Sequence, residues 1–122
     1  MGCYFGRRFV KRGEIYWTNL DPTQGHEIKK TRPCIVVSND VGNEFSETVT
    51  VVPLTSKTNN KKVYPFEVFI PESVTALSTD SKAKANQIRT IDKSRIGDLI
   101  GFVSKRWMAR LDRAIKIHLS LS

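Results

Sequence analysis

Glu27, Arg32 and Thr55 are the side chains whose types and spacing best suit chemistry on an anion. The segment Gly25-His26-Glu27-Ile28-Lys29-Lys30-Thr31-Arg32-Pro33 runs into the apolar stretch Cys34-Ile35-Val36-Val37, and a second apolar stretch, Thr50-Val51-Val52-Pro53-Leu54, ends on Thr55-Ser56. An acid, an arginine and a hydroxyl thus stand at the ends of neighbouring strand candidates, where rigid supports can hold a polar constellation in place. A guanidinium presents a planar fork to two anionic oxygens and keeps its charge near neutral pH. On residue types alone plainer roles are favoured: Arg32 as a surface residue at a strand start, Glu27 as a partner of Lys29 or Lys30, and Thr55-Ser56 as a turn cap.

The elements that must position these groups read as short strands between turn signals: 14–19, 34–38, 48–54, 66–70, 83–91 and 97–103. Phe66, Val68 and Ile70 alternate with Glu67 and Phe69, and Ala83, Ala85 and Gln87 alternate with Lys82, Lys84 and Asn86, the period-2 pattern of half-buried strands. Strands of this length and spacing permit a small barrel. Asp21-Pro22-Thr23-Gln24-Gly25 opens a loop that reaches Arg32, and Lys57 to Lys62 forms a second polar loop. Asn39 to Asn43 reads as a turn with a short helical piece. After Ser104, a candidate helix cap, Trp107, Leu111, Ala114, Ile115 and His118 fall on one helical stripe, leaving Lys105, Arg106, Arg110, Arg113 and Lys116 outward.

A chain of 122 residues suits one domain. We expect a basic tail over 1–10 and a single domain over 11–122, with no internal repeat or linker. The net charge of +8 favours a polyanionic partner, although Arg7, Arg8, Lys11 and Arg12, with no acid among the first twelve residues, supply half of it. The tail serves nucleic-acid binding and plain solubility equally well as readings. Cys3 and Cys34 make no disulfide framework and suit a reducing cytoplasm. No apolar run approaches the roughly 18 residues of a membrane span, so no membrane partner is expected. The scattered Cys3, His26, Cys34 and His118 lack zinc-ligand spacing, and no Gly-rich Lys-Ser/Thr loop occurs to cradle a phosphate.

Lys11-Arg12-Gly13-Glu14-Ile15-Tyr16, the Gly25 to Pro33 segment, Tyr64-Pro65-Phe66-Glu67-Val68 and Asn86-Gln87-Ile88-Arg89-Thr90-Ile91-Asp92 follow one another in an order that resembles the MazF/PemK family of toxin endoribonucleases from type II toxin-antitoxin systems. The resemblance covers about residues 10 to 120 and reverses the preference for the plainer roles. It implies a mainly β fold with α: a small SH3-like β-barrel, the PemK/CcdB-like toxin barrel, with a C-terminal helix. It further implies sequence-specific, metal-independent cleavage of single-stranded RNA, mainly messenger RNA, to 2',3'-cyclic phosphate and 5'-hydroxyl ends. No cofactor is implied. The expected partners are RNA, a cognate antitoxin with an acidic segment, and a second copy of the chain in a homodimer, all in the cytoplasm.

Carried over by position, Arg32 is the catalytic arginine, Thr55 the catalytic hydroxyl residue, and Glu27 an acid required in some members. Lys29, Lys30, Ser56, Lys57, Gln87 and Arg89 are expected to bind RNA, Arg89 and Arg95 having as their alternative a pairing with Asp92 and Asp98. His26 reads as a solvated loop residue and His118 as a packing residue. Two other classes stay in view: a non-catalytic toxin of the same fold that binds a topoisomerase, and an RNA-binding regulatory barrel.

Overall fold

The computed structural model describes residues 9–56 and 62–122. Seven strands, β1 (Glu14–Asn19), β2 (Thr31–Val36), β3 (Thr48–Thr55), β4 (Glu67–Ile70), β5 (Ser81–Lys84), β6 (Arg89–Asp92) and β7 (Ile96–Phe102), are joined by a short helix α1 (Asp40–Phe45) and followed by helix α2 (Lys105–His118). All pairings are antiparallel. The spatial order is β4-β5-β3-β2-β1-β7, with β6 also on β3. Among the described residues β4 and β7 remain edges, so the expected barrel is an open, bent sheet.

Two apolar clusters lie on opposite faces of the central strands. Ile15, Ile35, Val52 and Leu54 pack with Val68, Met108, Leu111 and Ala114 beneath α2. Their chain neighbours Tyr16, Cys34, Val36, Val49 and Val51 point the other way and join Leu20, Ile91 and Ile96. A strand with both faces covered must be apolar at every position, which is why Cys34 to Val37 and Val51 to Leu54 read as unbroken runs. Val10, expected in the tail, is buried in the second cluster.

The single strand expected over 83–91 is two. Both β5 and β6 pair with β3, but the register slips by three residues between them, and a 3-10 turn of three residues, Ala85–Gln87, takes up the slip. Pro53 sits on β3 beside this break, where a missing N–H is tolerated. The turn also receives α2, which packs on it and on β4.

Helix α2 begins at Ser104, whose carbonyl accepts from Met108 N at 2.9 Å, but no side-chain cap bond forms. Its buried stripe is Met108, Leu111 and Ala114, with Trp107 and Ile115 half-buried. His118 is exposed near the C-terminal end of the helix, contrary to its expected packing role. No helix among the described residues is long and apolar enough to cross a membrane.

Candidate active site

Strand β2 places Arg32 opposite Thr18 of β1, and β3 carries Thr55 at its last position. Both line one cleft of about 380 Å³ together with His26, Glu27, Ile28 and Lys29 from the loop before β2. Tyr64, Glu67, Lys82 and Lys84 from β4, β5 and the approach to β4 close its other side. The structure therefore brings together the three side chains that the sequence singled out. Arg32 and Ser56 also border a second cleft of about 520 Å³ with Trp17, Leu77 and Thr79, so Arg32 stands on the wall between two depressions.

The loop from Leu20 to Lys30 is pinned rather than loose. Leu20 N donates to Lys30 O at 3.0 Å, and Lys30 N donates to Asp21 Oδ1 at 3.1 Å. Lys30 takes a φ of 72°, a region that L residues with a Cβ enter at a cost, so this position closes the loop as much as it offers a charge. Ile28 N donates to Gln87 Oε1 at 3.2 Å, and Arg89 Nη1 donates to the carbonyls of Leu20 and Ile28 at 3.4 Å each. Arg95 donates to the carbonyls of Asn19 and Asp21. The late polar set thus braces the loop that carries Glu27. Asp92, expected as an alternative partner, instead caps the next turn: the side chain and then the backbone of Ser94 hold its carboxyl below the usual range, with Arg95 adding a smaller pull.

Arg32 Nε donates to Lys29 O at 2.9 Å. One of its five N–H donors is spent on fixing the fork, and the four on the Nη atoms are left for a ligand. Glu27 Oε1 accepts from Gln24 N at 2.6 Å and lies 3.9 Å from Nη2 of half-buried Arg89, a partly exposed pair that orients the carboxylate more than it stabilises the fold. His26 is exposed on the cleft rim, and Lys29 is exposed beside it. Lys57 lies outside the described residues. Beneath the site, Cys34 is fully buried, and burial pushes its thiol up to about 12 against the opposing pull of the Thr18 hydrogen bond and the Arg89 and Arg32 charges. It is a neutral packing group. Among the described residues no three His, Cys, Asp or Glu side chains gather as metal ligands.

Sequence reasoning missed the far wall. Tyr64 stands out in the sequence only through the resemblance of its segment, and Glu67, Lys82 and Lys84 read only as alternating strand positions opposite the apolar face. Lys82 is in fact buried: its Nζ donates to Lys62 O at 2.6 Å and lies 3.8 Å from Glu67 Oε1, while Lys84 Nζ lies 3.2 Å from Glu67 Oε2. Tyr64 stacks on Phe66 with ring centres 5.4 Å apart, and the Lys62 ammonium sits 5.0 Å over its ring.

An open antiparallel sheet carrying an arginine near the start of one strand and a hydroxyl at the end of its neighbour in one cleft, backed by a C-terminal helix, defines a class that comparison with known proteins identifies. The family described as PemK-like, MazF-like toxin of type II toxin-antitoxin system matches residues 11–119, and the chain belongs to it. Endoribonuclease MazF9 of Mycobacterium tuberculosis is 45% identical over 117 residues, covering 92% of this chain and 98% of its own. Endoribonuclease MazF of Staphylococcus saprophyticus is 38% identical over 112 residues, covering 92% of each. Among solved structures, MazF from Deinococcus radiodurans superposes with a TM-score of 0.80 at 25% identity, covering 93% of this chain and 99% of that one. A mycobacterial endoribonuclease in complex with its cognate antitoxin superposes with a TM-score of 0.75 at 26% identity, covering 93% and 97%.

Proposed function

We propose that this chain is an endoribonuclease toxin that cuts single-stranded RNA, chiefly messenger RNA, at a short recognition sequence and so arrests translation and growth. The observation that carries this reading is the meeting of Arg32, Thr55 and Glu27 in one cleft, in a chain whose relatives bear endoribonuclease names. Those names favour the catalytic reading over a topoisomerase-binding toxin or a passive RNA-binding barrel.

Cleavage to a 2',3'-cyclic phosphate and a 5'-hydroxyl end needs three things: a 2'-oxygen aligned with phosphorus, charge stabilised on the non-bridging oxygens, and a proton for the leaving 5'-oxygen. The Nη donors of Arg32 take the non-bridging oxygens, and the Thr55 hydroxyl adds a hydrogen bond to the same group. Glu27, held by Gln24 and Arg89, is the acceptor for the 2'-hydroxyl proton, and a water of the open cleft gives a proton to the leaving 5'-oxygen. Lys29, Lys30, Ser56 and Lys57 contact flanking RNA, while Gln87 and Arg89 act on it through the loop that they brace. Single strands suit the site because unstacked bases expose their edges.

The active species is a homodimer in the cytoplasm, with residues 11–122 as one toxin domain. A cognate antitoxin lays an acidic segment over the basic cleft and competes with RNA. The test is incubation of purified protein, freed of antitoxin, with a long unstructured RNA in EDTA, followed by mapping of the ends. Cuts at one recurring short sequence with 5'-hydroxyl ends are expected; intact RNA across several unrelated sequences would overturn the reading.

A further inference from the structure

The cleft as a whole holds more positive charge than one scissile phosphate needs. Lys29, Arg32, Lys82 and Lys84 oppose only Glu27 and Glu67 among the lining residues, a formal excess of two. One phosphodiester carries a single negative charge, so the excess matches two.

The sheet register says where the second belongs. Thr55 is the cross-strand partner of Lys82, and Lys84 is the cross-strand partner of Glu67, so these four side chains share one face of β3, β5 and β4. Lys84 lies two residues along β5 from Lys82, about 7 Å from the level of Thr55. A group held at Lys84 is therefore not the group held at Thr55.

Glu67 and Lys82 are positioned as a foundation. Their side chains are 4% and 8% exposed, and Lys82 is further satisfied by the Lys62 carbonyl. Tyr64 N donates to Glu67 Oε1 at 3.2 Å, which ties the carboxylate to the rim. Glu67 carries one negative charge between two lysines, Lys84 at 3.2 Å and enclosed Lys82 at 3.8 Å, so the trio keeps a net positive charge. Lys84 is 30% exposed, so its ammonium combines a fixed position with access to the cleft.

We propose that Lys84, positioned by the buried Glu67–Lys82 pair, forms an anion subsite for a phosphodiester neighbouring the one that is cut. The subsite rests on the endoribonuclease reading above and deepens it. Exposed Tyr64, stacked on Phe66 and with the Lys62 ammonium over its ring, borders the same mouth.

The experiment uses the full chain and a short RNA containing the mapped cleavage sequence, made uncleavable by a 2'-deoxy sugar at the cut. Neutral methylphosphonate replaces one linkage at a time. For the wild type, neutralising one non-scissile linkage is expected to weaken binding about tenfold, the scale of a charge-assisted hydrogen bond. In Lys84→Gln that same replacement should cost less than about twofold, and Lys84→Arg should restore the penalty. Equal penalties in wild type and Lys84→Gln at every linkage would overturn the subsite while leaving the nuclease reading intact. Failure of the 2'-hydroxyl form of the RNA to be cut would instead remove the nuclease reading, and the subsite with it.

Discussion

Arg32 and Thr55 each stand two residues beyond the Cys34–Pro53 pair of the β2–β3 ladder, on strands that run in opposite directions. Antiparallel pairing turns residues far apart in sequence into neighbours at one end of the sheet, and the cleft opens at that end. The catalytic roles proposed for them follow from this shared support.

The loop bearing Glu27 depends on Gln87 and Arg89. If both act as braces, Gln87→Ala should slow cleavage and speed amide exchange at Ile28, whose N–H loses its acceptor. The salt dependence of RNA binding should stay that of the wild type. A phosphate contact by Arg89 would instead lower the log–log slope by about 0.7 in Arg89→Gln, and that drop would count against bracing.

Glu67, Lys82 and Lys84 should respond unequally to mutation. Glu67→Gln leaves enclosed Lys82 without its counter-charge and is expected to cost about 3 kcal/mol. Lys82→Met leaves Glu67 paired with Lys84 at 3.2 Å and should cost less than about 1.5 kcal/mol. Urea midpoints of the two variants decide the point; equal losses would mean that the pair is not the organising contact.

Cys34 sets a direction for alkaline stability. Its thiol rises from 9.0 to about 12 on folding because it is buried, so between those values the unfolded chain releases a proton that the native state retains. Stability contributed by the neutral thiol is complete below pH 9 and is lost as pH rises. By pH 10 the loss is about 1.4 kcal/mol. Urea unfolding at pH 8 and 10 should show this extra fall in a Cys3→Ser background and lack it when Cys34→Ala is added. Equal falls in both proteins would show that Cys34 does not titrate with unfolding.

The near wall of the cleft was legible because its residues lie at the ends of apolar runs, where period and turn chemistry are local signals. The strands and the C-terminal helix were legible in the same local periodicity, and the ordered match of short segments added the family. Other features are set by contacts distant in sequence. Lys82 alternates as a solvent-facing residue should, yet Glu67 and the Lys62 carbonyl, on the chain before β4, enclose it. The break at Ala85–Gln87 is needed only because β5 and β6 share β3 at different registers. His118 keeps the helical stripe yet is exposed as the last residue of α2.

The most direct measurement is single-turnover cleavage of the mapped RNA in EDTA by wild type, Arg32→Ala and Thr55→Ala, each with an unchanged urea midpoint. Loss of one preorganised donor to the phosphate is expected to slow the reaction about 100-fold to 1000-fold in either variant. Cleavage at the wild-type rate by both folded variants would contradict the proposed site.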